Sequence, residues 1–89
     1  MTQTKDPEDR RIREAIVGLL DKRDMGKTIC PSEASREVFG QKGNEKEFID
    51  RTRGVVRVLV GEGEIEVCQE GNVVDMDAAK GAIRLRKKS

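Results

Sequence analysis

The sequence predicts an α+β fold, a winged helix-turn-helix with a three-helix core, a short strand and a C-terminal β-hairpin wing. Three observations predict it. Apolar residues recur at helical spacing in three segments before residue 61. A short β-branched segment separates the first two of these helices. Two segments near the C-terminus alternate apolar and polar residues, as half-buried strands do.

The first helix is predicted over residues 7–22. Asp6 suits the N-cap and Pro7 the first helical position. An apolar stripe follows at helical spacing: Ile12, Ala15, Ile16, Leu19 and Leu20. We expect residues 1–5 to be disordered, the domain to span residues 6–86, and residues 87–89 to form a basic tail.

A brief strand and a second helix follow. Residues 27–30 are partly β-branched and lie between Gly26 and Pro31, which predicts the strand. Pro31 suits the first position of a helix over residues 31–39, and Glu33 is an acid in its first turn, where the helix dipole favours negative charge. Gly40 is expected to end this helix.

The third helix is predicted from residue 45 to residue 60, after a turn at residues 40–43. Asn44 and Glu47 have the spacing of a capping box. Several valines favour a strand, and Gly54 weakens a helix by roughly 1 kcal/mol. We nevertheless predict a helix, because the segment VVRVLV does not alternate. Its apolar side also extends back to Phe48: Phe48, Thr52, Val55, Val56 and Leu59.

Two strands are predicted to form the wing, over residues 64–69 and 82–86. Both segments alternate apolar and polar residues. Glu70, Gly71 and Asn72 predict a turn, and we expect the loop to continue to Gly81.

Composition argues against several functional classes. The chain has 18 lysines and arginines, 17 acids, a net charge of +1 and no histidine. We therefore expect that the protein is not an enzyme, because its sequence has no nucleophile–base pair and no phosphate-cradling glycine loop. Cys30 and Cys68 are too few for a structural zinc site, and no cofactor is expected. Without an apolar span or a signal peptide, we expect no membrane association, a cytoplasmic location and reduced cysteines.

Six sequence segments together resemble a family of small bacterial proteins catalogued as domain of unknown function 3253. The segments are KTICPSEA at residues 27–34, VVR at 55–57, GEIEV at 63–67, QEG at 69–71, VD at 74–75 and GAIRL at 81–85. The resemblance extends over nearly the whole chain after the first helix. The resemblance implies a compact winged-helix domain and implies no activity.

The third helix is the first candidate for a binding surface. Lys46, Asp50, Arg53 and Arg57 fall opposite Phe48 at about 100° per residue. In a helix-turn-helix this face enters the major groove of DNA, where Arg53 and Arg57 could reach base edges or phosphates. The alternative interpretation is an ordinary solvated helix face, whose positive charge is diluted by neighbouring acids.

Two further basic features complete a candidate surface for double-stranded DNA. Lys27, Thr28 and Ser32 lie near the start of the second helix, where backbone N–H groups attract phosphate. Their alternative role is to satisfy the helix end. Arg86, Lys87 and Lys88 belong to a C-terminal segment without acids, which suits either a phosphate backbone or a frayed, solubilising end.

An acidic stretch favours a second hypothesis, a protein-interaction module on a winged-helix scaffold. Residues 61–79 contain six acids and no base, so the wing should avoid phosphate: Glu62, Glu64, Glu66, Glu70, Asp75 and Asp77. Such a surface suits a basic protein partner.

A separate hypothesis concerns Cys30, which adjoins a helix N-terminus and could form a redox pair with Cys68. The plainer interpretation is two small, buried apolar residues.

Overall fold

The computed structural model describes residues 6–23, 27–79 and 81–88. Residues 1–5, predicted to be disordered, and the last residue of the predicted tail lie outside the described residues. The described elements follow the predicted order: α1 (Pro7–Asp21), β1 (Thr28–Ile29), α2 (Pro31–Phe39), a 3-10 helix (Gly40–Asn44), α3 (Lys46–Gly61), β2 (Ile65–Gln69), β3 (Asn72–Val73) and β4 (Arg84–Lys87). The predicted winged-helix arrangement is confirmed.

The four strands form one antiparallel sheet in the order β1-β4-β2-β3. Leu85 on β4 lies opposite Ile29 on one side and Val67 on the other. The C-terminal strand therefore lies between the short first strand and the first strand of the wing. This placement ties the wing to the helical core.

The core is aliphatic and lies between the helices and one face of the sheet. Eight large apolar side chains are almost completely buried: Ile12, Ile16, Ile29, Val56, Leu59, Val67, Ile83 and Leu85. The two phenylalanines, Phe39 and Phe48, are only partly buried, and their ring centroids lie 4.5 Å apart. They join the end of α2 to the start of α3.

The predicted helix starts are confirmed for α1 and α2. The Asp6 side chain accepts a hydrogen bond from the Glu8 backbone N–H at 2.9 Å, as an N-cap should. Helix α2 has the predicted bounds. Helix α1 ends at Asp21, one residue earlier than predicted.

The predicted capping of α3 by Asn44 is wrong. The turn after α2 is a 3-10 helix, in which Asn44 is the last residue, and Glu45 occupies the N-cap of α3. This turn packs against α2. The buried Ser35 hydroxyl donates to the Gly43 carbonyl at 2.7 Å, and a Cβ atom added at Gly43 would lie only 2.5 Å from the Ser35 carbonyl oxygen. With Asn44 in the 3-10 helix that packs on α2, helix α3 begins one residue later than the capping-box pattern of Asn44 and Glu47 predicts.

The predicted long loop after Glu70 contains the short strand β3. Glu70 and Gly71 both have positive φ values, 51° and 84°, which a two-residue type I′ hairpin turn requires. Gln69 consequently pairs with Asn72, and Cys68 with Val73. Two paired residues are too few to give an alternating pattern, so the strand left no signal in the sequence.

The last strand covers residues 84–87 rather than 82–86. Lys87 pairs with Ile65 at the start of β2, so Lys87 belongs to the sheet and not to a tail.

Helix α3 is fixed to α1 by a long-range contact, in which Arg51 forms ion pairs with Asp6, Glu8 and Asp9. This cluster holds the start of α1 beside the middle of α3.

Candidate nucleic-acid interface

Three of the four residues predicted to point outward from α3 are exposed. Thr52, Val55, Val56 and Leu59 are buried on one side of the helix. Lys46, Asp50 and Arg57 are exposed on the other side, and Arg53 is half-buried at its margin. The helix interpretation of the valine-rich segment is confirmed, because burial of one helical stripe outweighs the β-preference of valine.

A glycine lies at the edge of the outward face of α3. Gly54 lies one turn after Asp50, at the edge of this face, and a Cβ atom added to it would have nothing within 4 Å. No neighbouring group in the described part of the protein therefore requires a glycine there. The backbone of α3 is open to the outside at this point.

Two of the three bases assigned to α3 already have a carboxylate partner. The Lys46 Nζ lies 2.7 Å from Asp50 Oδ2, one helical turn further along. This hydrogen bond, helped by the nearby negative charge, raises the pKa of Lys46 above its ordinary value. The Arg57 Nε donates to Asp77 Oδ1 at 2.8 Å. Arg53 makes no hydrogen bond or ion pair within the described residues.

The start of α2 already has an acid of its own. Glu33 Oε2 accepts from the Cys30 backbone N–H at 2.7 Å, and Glu33 Oε1 lies 3.0 Å from Arg23 Nη2. A phosphate bound here would have to compete with this carboxylate. The two hydroxyls proposed for phosphate binding are also engaged, since Thr28 accepts from Arg84 Nε and Ser32 donates to Cys30 Sγ.

The remaining predicted bases differ in how free they are. Lys27 is exposed before β1, and Lys88 is exposed after β4. Arg86 is different, because its Nη2 lies 2.7 Å from Glu66 Oε2 on the neighbouring strand. That hydrogen bond raises the pKa of Arg86 above its ordinary value. Lys87 Nζ lies 2.9 Å from Asp21 Oδ1 at the end of α1.

The acidic stretch is largely neutralised within the fold. Glu62 and Glu64 both pair with Arg13 of α1, Glu66 pairs with Arg86, and Asp77 pairs with Arg57. Four of its six acids thus form ion pairs with arginines distant in sequence. The sequence showed the acids but not these partners, so the stretch looked like a free acidic surface.

The geometry is incompatible with a simple redox pair. Extending the β1–β4 register by one residue places Cys30 level with Arg84, which pairs with Cys68 on the other side of β4. Two strand spacings separate the cysteines, which is about 10 Å between Cα atoms. A disulfide needs Cα atoms within about 7 Å, so this bridge would require backbone movement. Both cysteines are free, and Cys68 is buried.

Across the described residues, no helix combines the length and apolar character needed to cross a membrane. The same residues contain no group of three or more histidine, cysteine or acidic side chains that could hold a metal ion.

Comparison with other proteins identifies the family of the chain. A search of curated proteins found no match to the chain. The family model described as "Protein of unknown function (DUF3253)" matches residues 9–88, nearly the whole length. The chain therefore belongs to this family of proteins of unknown function.

Proposed function

We propose that this protein binds double-stranded DNA, with the outward face of α3 in the major groove. The observation that carries the proposal is the composition of that face, which presents Arg53, Arg57 and Lys46, with the open backbone at Gly54 at its edge. Arginine can contact guanine through two hydrogen bonds, and both arginines and lysine contact phosphates. Arg53 is the leading contact, because it has no partner to give up within the described residues.

The missing side chain at Gly54 favours a partner that packs closely against the backbone of α3. A glycine inside a helix costs roughly 1 kcal/mol of stability relative to alanine. The described fold gains nothing in packing from it, since no atom lies within 4 Å of the missing Cβ. A ligand that packs against the helix backbone would gain from the absence of a side chain.

Paired alanine substitutions of two helical glycines test this interpretation. Gly18 lies in α1 and, like Gly54, has nothing within 4 Å of an added Cβ. We expect Gly54→Ala and Gly18→Ala each to stabilise the protein by about 1 kcal/mol in urea unfolding, because alanine favours the helix. Only Gly54→Ala should weaken binding to duplex DNA, by about tenfold, which is about 1.4 kcal/mol. Equal DNA affinity of the two variants would contradict the proposed contact.

The lysines near α2 and the C-terminus have a secondary part in this proposal. Lys27 and Lys88 are exposed and can contact the phosphate backbone, which fixes position without reading sequence. Arg86, Lys87, Thr28 and Ser32 already have partners in the fold, so we assign them a smaller share. The expected cytoplasmic location and the expected lack of enzymatic activity stay predictions.

A second candidate function, a protein-interaction module, is favoured by exposed valines. Val58, Val60 and Val73 are 40%, 39% and 59% exposed. Val60 also lines a groove of about 290 Å³ between α3 and residues 74–77, together with Val74 and Met76. A pull-down with the wild-type chain separates the two hypotheses. Recovery of nucleic acid without a protein partner would count against the module.

A further inference from the structure

The segment after β3 carries Asp77 to the outward face of α3. The Val74 N–H donates to the Val67 carbonyl at 2.8 Å, which fixes the start of the segment on the sheet. Met76 is 6% exposed and anchors it in the core. The Asp77 N–H then donates to Asp75 Oδ1 at 2.9 Å and shapes the turn. These contacts hold the Asp77 carboxylate beside Arg57.

The ion pair between Asp77 and Arg57 lies in solvent. The Arg57 side chain is 51% exposed and that of Asp77 is 64% exposed. Exposed pairs are weak and are screened by salt, so another anion can displace the carboxylate. A phosphate is such an anion, and it hydrogen-bonds the guanidinium group as a carboxylate does.

We propose that Asp77 occupies the place of a DNA phosphate on Arg57 in the unbound protein, and that DNA binding exchanges one anion for the other. This inference rests on the proposed function. It assigns Asp77 the role of a built-in competitor, which lowers affinity and restricts binding to DNA that presents a phosphate at Arg57. In this proposal Asp77, which belongs to the acidic stretch, lowers the affinity of the outward face of α3 for DNA and does not contact a separate protein partner.

The test compares charge-neutralising variants in duplex DNA titrations at several salt concentrations. Asp77→Asn removes the competitor and should tighten binding by about tenfold at low salt. It should also steepen the salt dependence by about one released counterion. Glu70→Gln is the matched control, because it removes one acid from the same stretch at a turn where Glu70 has no ion pair among the described residues. It should change the affinity by less than about twofold, because screening limits the reach of an exposed charge.

A double-mutant cycle shows whether Asp77 acts through Arg57. In an Arg57→Ala background, the gain from Asp77→Asn should disappear, because no pair remains to be broken. An equal gain in Asp77→Asn and Glu70→Gln, or a gain that persists without Arg57, overturns the inference. Weaker binding of Asp77→Asn overturns it as well.

The outcomes also separate this inference from the proposed function. If the wild-type chain binds duplex DNA and Asp77→Asn binds equally well, only the competitor role fails. Binding by Asp77→Asn alone supports the competitor role, since it shows a face that the carboxylate masks. If neither protein binds duplex DNA at low salt, both the inference and the proposed function are wrong.

Discussion

Replacing Gly43 by alanine is expected to destabilise the protein by about 3 kcal/mol, because overpacking a rigid contact is costly. A Cβ atom at Gly43 would lie 2.5 Å from the Ser35 oxygen, 2.6 Å from the Ser35 carbon and 2.7 Å from the Arg36 nitrogen. All three are backbone atoms, so no side chain can turn aside. Either α2 or the 3-10 helix must shift, and the Ser35–Gly43 hydrogen bond shifts with it.

Urea unfolding followed by circular dichroism measures this loss. Gly18→Ala is a suitable control, since it adds the same methyl group where nothing lies within 4 Å. The control should gain stability while Gly43→Ala loses it. A Gly43→Ala variant as stable as the wild type would show that the turn between α2 and α3 is looser than described.

Reversing the charge of Arg53 is expected to lower the affinity for duplex DNA by about 100-fold at low salt. Arg53→Glu removes a cation from the proposed interface and places an anion against phosphates, and both changes oppose binding. Arg53 is half-buried but makes no hydrogen bond or ion pair within the described residues, so the loss of stability should stay below about 1 kcal/mol. Fluorescence anisotropy with a labelled duplex measures the affinity.

Arg11→Glu is the matched control for Arg53→Glu. Arg11 is exposed in α1 beside a groove that Glu14, Glu37 and Val38 also line, away from the outward face of α3. The two variants have the same net charge. We expect Arg11→Glu to bind within about threefold of the wild type, because screening weakens charges outside the contact. Equal losses in the two variants would indicate attraction by total charge and would contradict binding through α3.

Much of the fold could be predicted because its signals are local. The stripe from Ile12 to Leu20 gives α1, and Pro31 with Gly40 gives both ends of α2. The valine-rich part of α3 was the hardest case. Its residues Val55, Val56 and Leu59 are buried at helical spacing, and this burial decides the conformation.

The features that were missed depend on contacts between distant residues. Asn44 loses the capping position to Glu45, because the 3-10 helix packs on α2. The pair of Arg57 with Asp77 joins residues that are 20 positions apart, and that of Lys87 with Asp21 joins residues 66 apart. No spacing rule predicts such partners. The sequence therefore indicated which bases face outward on α3 but not which of them are already paired.

The most direct test of binding through α3 is an NMR titration of the ¹⁵N-labelled wild-type chain with duplex DNA at low salt. We predict that the largest amide shifts fall on the outward face of α3, at Lys46, Asp50, Arg53, Gly54 and Arg57, and that they diminish as salt is added. Shifts confined to α1 and α2, or no shifts at all, would contradict the account.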